Sequence, residues 1–289
     1  MKAVTLTKHH GLGNDFLVLI TEVADGDDAG RAELARALCD RRRGVGADGL
    51  LFADAVDGED RDAAVRMTLF NADGSRAEMS GNGIRCLAQA WAAHFGLTEG
   101  VLRVRTDAGV RPVSVWATRD PATIVASVGM GAVTPIAGPY NWDAVGCDTM
   151  RPVAHLSLGN PHSVVAVDDV EQVDLALLGA EVPHVNLEIV QAGPEAGSIT
   201  MRVHERGAGI TEACGTGACA AAFAAARWGL VEPIGGEIVV HMAGGDARVR
   251  LDDPVVGELT LVGPATVVAT LTVDLDTIIN RRSPVSIHR

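Results

Sequence analysis

The chain has 289 residues, 47% of them hydrophobic and 21% charged, enough apolar content for one large or two medium packed domains and too much for a disordered chain. Its longest wholly apolar run, residues 218–226, is nine residues long, against the roughly 20 that a bilayer-spanning helix needs, so no membrane partner is expected. The net charge of −13 argues against nucleic acid, because binding to its phosphates depends on many Lys and Arg.

In chain order, the opening MKAVTLTKHH carries no long apolar core and no small-residue cleavage site, so a cytoplasmic protein without a leader is expected. The alternation Ala3-Val4-Thr5-Leu6-Thr7 predicts a strand, and Arg31 to Arg41 behind Asp27-Asp28 predicts a helix. Strands follow at Val65–Leu69 and Val101–Arg105, with a helix over Asn82–Phe95 between them. Short and long helices are expected at Val173–Leu178 and Thr216–Trp228. The mixed order favours an α+β fold over a doubly wound sheet. Five cysteines (Cys39, Cys86, Cys147, Cys214 and Cys219), an odd number without CxxC spacing, read as reduced thiols rather than a disulfide scaffold or zinc ribbon. Only two lysines occur, Lys2 and Lys8, neither beside a Gly-rich phosphate loop, which argues against pyridoxal phosphate chemistry. The nine histidines form no dense ligand motif, so no metal or other cofactor is expected.

The chain also aligns on itself. Glu78-Met79-Ser80-Gly81-Asn82-Gly83 and Glu212-Ala213-Cys214-Gly215-Thr216-Gly217 share one pattern, each leading into an alanine-rich helix, a strand, a tight turn and two further strands. This predicts two duplicated domains, 1–120 and 121–276, with the boundary near Asp120-Pro121 and residues 277–289 returning to the first. At such an elbow the residue before Gly-x-Gly meets unpaired helix N–H groups and the positive end of the helix dipole. A depressed thiol pKa is therefore expected for Cys214, and a carboxylate could bind the same amides. The competing reading is an inert buried cysteine. Cys86 and Cys219 lie inside their helices and are read as core packing. Two such elbows facing one carbon would suit stereoinversion, one group removing an α-proton while the other donates to the opposite face.

A set of ordered motifs carries a resemblance over nearly the whole chain. They are Gly11-Leu12-Gly13-Asn14-Asp15-Phe16, Gly44-Val45-Gly46-Ala47-Asp48-Gly49, Asn71-Ala72-Asp73-Gly74-Ser75, Gly159-Asn160-Pro161-His162, Val185-Asn186, and His204-Glu205-Arg206-Gly207 before Ala213-Cys214-Gly215-Thr216-Gly217. The chain resembles the diaminopimelate epimerase family, cofactor-independent enzymes of lysine and peptidoglycan precursor synthesis. The resemblance implies that each domain is a strongly curved, mostly antiparallel sheet around a central helix, with the active site in the cleft between domains, a small amino-acid substrate and a homodimer. It implies that Asn14, Asn71, Asn160 and Asn186 bind substrate and that Arg206 grips the distal carboxylate. It further implies that Gly81-Asn82 and Gly215-Thr216 cradle the reacting carboxylate, and that Glu205 and His162 tune the acid/base groups.

Two positions depart from the family pattern: Ser80 stands at the first acid/base cysteine, and Gly49 where a glutamine often follows the Asp. A serine hydroxyl ionises at least about four units above a thiol, so Ser80 is a poor base and a better proton donor. The alternatives are a one-base dehydratase, isomerase or other amino-acid epimerase on the same scaffold, a cysteine hydrolase using Cys214 with His162, and a non-enzymatic nucleotide-binding domain built on Gly215–Ala220.

Overall fold

The computed structural model describes residues 3–21, 27–56, 64–253 and 257–280, and the chain falls into two compact units. The first holds the chain through Gly11, Asp15–Ala126 and the chain from Ala265; the second holds Leu12–Asn14 and Ser127–Pro264. The sequence places the crossover near residue 120 and the return at 277, but both crossings fall inside continuous strands, so no turn or linker marks them in the sequence. Residues 281–289 of the expected returning segment lie outside the described residues, as does Lys2.

In the first unit, β1 (Ala3–Gly11), β2 (Asn14–Thr21), α1 (Asp28–Cys39), β3 (Gly49–Ala55), β4 (Val65–Asn71), β5 (Arg76–Ala77), α2 (Gly81–His94), β6 (Glu99–Thr106), β7 (Gly109–Ala117) and the start of β8 (Thr123–Ala132) follow in order. Strand β2 pairs parallel with β3, β3 antiparallel with β4, and β4 antiparallel with β5 and parallel with β6; β6 and β7 form an antiparallel hairpin. The parallel pair is covered on both faces and reads as near-continuous apolar runs, Phe16–Ile20 and Leu50–Ala53, whereas the β6–β7 hairpin alternates buried and exposed residues. Helix α2, buried from Gly81 to Ala92, packs against β1, β3, β4, β6 and β7. Helix α1 starts on Asp27, whose carboxylate accepts from the Gly30 N–H at 2.8 Å; its Ala35 and Leu38 pack with Leu17, Leu50, Phe52 and Phe70.

The second unit repeats this plan. After β9 (Thr134–Pro135) come β10 (Val153–Ser157), β11 (Pro161–Ala166), α3 (Leu175–Glu181), β12 (Asn186–Ala192), β13 (Ser198–Glu205), β14 (Gly209–Thr211), α4 (Gly215–Arg227), β15 (Glu237–Met242), β16 (Gly245–Asp253) and β17 (Glu258–Asp274), with a short α5 (Leu275–Asn280) closing the described chain. Strands β11 and β12 are parallel, β12 and β13 antiparallel, β13 pairs antiparallel with β14 and parallel with β15, and β15 and β16 form the hairpin. These are the same senses in the same order as β2 to β7. Helix α4, buried at every position from Gly215 to Ala222, packs against β10, β11, β12, β13, β15 and β16. Alanine and glycine fill it because sheet approaches it from several sides, leaving room only for small side chains.

Two buried polar groups tie the first unit together. Arg31 and Asp54, 7% and 2% exposed, form a two-pronged pair at 2.9 and 3.1 Å, with the guanidinium 4.5 Å from the Phe52 ring centroid. His9 is buried between Gln89 Oε1 at 2.8 Å and Thr7 Oγ1 at 2.7 Å. Burial holds the His9 pKa below its ordinary 6.5. The unfolded chain thus takes up a proton that the folded one resists. This contribution to stability is complete above pH 6.5 and is lost as the pH falls below it. Urea unfolding of the native protein is expected to show stability declining below pH 6.5, with a shallower decline in His9→Gln. His155, also lowered by burial, leaves part of the slope in place. An unchanged slope in the variant would remove His9 from the account.

Candidate active site

In the first unit, β4 delivers the chain to Asn71, at the exposed edge, where Asn71 Nδ2 donates to Ser75 Oγ at 3.0 Å. The turn closes on Asp73, whose carboxylate accepts from the Ser75 N–H at 2.8 Å. After β5 the backbone extends through Ser80 and then enters α2, so Ser80 is the N-cap and its Oγ accepts from the Gly83 N–H at 3.0 Å. The N–H groups of Gly81 and Asn82 are the first two of the helix, which its own ladder cannot serve. Arg85, fully buried, fixes this turn: Nη1 donates to Gly81 O at 3.0 Å and Nη2 to Asn82 Oδ1 at 2.7 Å. The Asn82 side chain is thus committed to Arg85.

The second unit builds the same cap with sulfur. Cys214 is the extended N-cap of α4, and its Sγ accepts from the Gly217 N–H at 3.4 Å. Sγ also lies 3.5 Å from Thr216 Oγ1. Thr216 Oγ1 accepts from Asn160 Nδ2 at 3.2 Å, Asn160 Oδ1 lies 2.9 Å from His162 Nε2, and His162 Nδ1 lies 2.6 Å from Glu188 Oε1. One continuous path therefore runs from Glu188 to Cys214. Asn186 Oδ1 accepts from the Arg206 N–H at 2.9 Å, tying the start of β12 to the turn after β13, while the Arg206 side chain is exposed. Glu205 accepts from Thr211 Oγ1. In the turn that carries Asn14, Gly13 (φ +84°) packs against the Glu212 carboxylate and the Leu12 carbonyl against Gly244.

The expectation of a depressed Cys214 pKa is overturned. Burial pushes the thiol well above its ordinary range, and the carboxyl groups of Glu205 and Glu188 push it further; the bonds from Thr216 and the Gly217 N–H pull the other way without prevailing. The sequence showed the helix terminus but not the carboxyl groups around it. These surroundings favour the thiol, the form that donates a proton. The hydrolase reading loses its base as well, because both ring nitrogens of His162 are engaged, by Glu188 and Asn160.

Cys86 and Cys219 are fully buried inside α2 and α4 as core residues, and none of the five cysteines forms a disulfide with another described residue. Gly49 has no room for a side chain: a Cβ there would stand 2.9 Å from Phe70 O. The Asp15 and Asp48 motifs serve structure. Asp15 pairs with Lys8 at 2.9 Å and with Arg41 at 2.7 Å, Arg41 also reaches Asp48 at 2.8 Å, and Lys8 donates to Gly46 O at 2.7 Å. Lys8 is thereby engaged in an ion pair. A cavity of about 530 Å³ beside α3, among whose lining residues are Val145, Cys147, Arg151, Val165, Leu178 and Ile189, contains none of the expected site residues. Among the described residues no group of three or more His, Cys, Asp and Glu is placed to hold a metal ion. Sequence reasoning missed Glu188. The signal was present: Asn186 and Glu188 stand two apart in an apolar strand, so two polar groups share one buried face.

The family model described as Diaminopimelate epimerase matches residues 6–135 and 155–268. The chain belongs to the diaminopimelate epimerase family. Among curated members of the family, the diaminopimelate epimerase of Halothermothrix orenii is 35% identical over 286 residues, spanning 92% of this chain and 96% of that protein. That of Thermosynechococcus vestitus is 39% identical over 292 residues, spanning 91% and 96%. Among solved structures, a phenazine biosynthesis protein of the PhzF family from Bacillus anthracis matches with a TM-score of 0.71 at 16% identity, over 95% of this chain and 100% of the other. A hydroxyproline epimerase from Agrobacterium vitis matches with 0.68 at 17%, over 95% and 93%. At those identities the likeness establishes the fold that the epimerase family shares with them: strand-rich, in two domains, with a helix inside each.

Proposed function

We propose that the protein epimerises LL-diaminopimelate to meso-diaminopimelate by proton transfer at the α-carbon, without a cofactor, in the synthesis of lysine and peptidoglycan precursors. The observation that carries this reading is the pair of matching caps. Ser80 and Cys214 occupy the same slot of the two repeated units, each with its side chain on the N–H three residues on. Cys214 is the principal acid/base group and Ser80 its counterpart. Gly81-Asn82 and Gly215-Thr216 offer N–H groups to the α-carboxylate, whose negative charge grows as the proton leaves. Asn14, Asn71, Asn160 and Asn186 supply amides for the amino and carboxylate groups, Glu205 sets the charge around Cys214, and Arg206 takes the distal carboxylate. His162 supports the site through Asn160. The homodimer rests on the family resemblance, and the cytoplasmic location also on five cysteines that form no disulfide among the described residues.

Ser80 favours a second reading, a one-base dehydration or isomerisation of a related amino acid by Cys214. Incubation in deuterated water separates the two. Under the first reading both LL- and meso-diaminopimelate gain deuterium at the α-carbon and interconvert. If neither exchanges while another amino acid does, the substrate assignment is wrong.

A further inference from the structure

The path of hydrogen bonds in the second unit ends on a carboxyl group that the proposed proton transfer does not use. Glu188 is completely buried on β12, and its Oε2 has no hydrogen-bond partner among the described residues. Its Oε1 reaches His162 Nδ1 and lies so close to the first turn of α4 that a Cβ at Gly217 would stand 2.7 Å from it. The direction of the path follows from what each group can do. The Asn160 Oδ1 only accepts, so His162 Nε2 carries a hydrogen toward it. The Asn160 Nδ2 only donates, so Thr216 Oγ1 accepts from it and turns its own hydrogen to Cys214 Sγ. Whether the hydrogen shared at the far end sits on the carboxyl or on Nδ1, Nε2 keeps its own.

We propose that Glu188 is the positioning residue of this site: bonded to Nδ1, its carboxyl locks His162 with Nε2–H facing Asn160 and so keeps the Thr216 hydroxyl hydrogen on Cys214 Sγ. The inference rests on Cys214 being the acid/base thiol. Without a polar partner at Nδ1 the ring is free to carry its hydrogen there instead. The Asn160 amide then turns over, Thr216 donates to Asn160, and Sγ loses a donor that favours its thiolate.

Two measurements test this, and neither uses diaminopimelate or turnover, so their failure is distinct from failure of the proposed reaction. In 15N NMR of labelled histidine, with His162 assigned through His162→Gln, Nε2 is expected to be fully protonated in the native protein and in Glu188→Gln, and tautomers to mix in Glu188→Leu. In alkylation of Cys214 by a small haloacetamide at pH 8, with Cys214→Ala as blank, Thr216→Val is expected to slow the reaction about fivefold against native, and Glu188→Leu about fivefold against Glu188→Gln, which lacks the same carboxyl charge but keeps the path. The double variant of Glu188→Leu with Thr216→Val should be no slower than either single one, and Glu188→Gln, relieved of a charge that raises the thiol, should react at least as fast as native. Should Glu188→Leu fail to fold, Asn160→Ala cuts the same path and is expected to match Thr216→Val. Multiplicative losses in the double variant (Asn160→Ala with Thr216→Val in that event), or a Gln variant as slow as the Leu one, would overturn the proposal.

Discussion

Replacing Cys214 with alanine is expected to lower LL-to-meso epimerisation by about 10³-fold, within the range for losing a positioned acid/base group. KM should change little, because the N–H groups of Gly215 and Thr216 belong to the backbone. Ser80→Cys is expected to do the reverse and raise turnover by about tenfold or more. The native Ser80 donates adequately, yet to abstract a proton it must form an alkoxide, which costs roughly 5 kcal/mol more than a thiolate. The same cap geometry would hold a sulfur there, as it does at Cys214. Both variants are read from initial rates in each direction. Full activity in Cys214→Ala sinks the mechanism, and a fall in Ser80→Cys would mean that the hydroxyl acts in some way that a thiol cannot copy.

The second large effect is on stability. Asp54→Ala should cost about 3–5 kcal/mol, because it strands the buried Arg31 guanidinium without its carboxylate. Replacing both partners with leucine should recover most of that loss, since the penalty comes from an uncompensated charge and not from the absence of the pair. Chemical denaturation of the two variants checks this. A cost below about 1 kcal/mol for Asp54→Ala would mean that water reaches Arg31.

How much of this was legible in the sequence differs by level. The helices over 82–95 and 216–228 lie within one residue of α2 and α4, because small residues and an N-cap pattern mark them plainly. The duplication was visible too, since a cap followed by an alanine helix, a strand and a tight turn is a local pattern repeated twice. The parallel pairings of β2 with β3 and β11 with β12 were not, because apolar runs state burial and not partner. At the site, the residue types that line up along the chain were readable, and what burial does to them was not. Cys214 carries the depressing influence of a helix terminus in its local sequence, while Glu205 and Glu188 reach it from β13 and β12. Glu188 and Arg85 act through contacts that no motif spells out.

The pairing of β1 with the far end of β17, Ala3 opposite Asp274, sets the order of events during synthesis on the ribosome. The opening strand waits for a neighbour translated more than two hundred residues later, so one of its edges stays uncovered while nearly all of the polypeptide emerges. Nascent chains halted before residue 265 should therefore be readily digested across their N-terminal third, and gain protection only when the last strand is released.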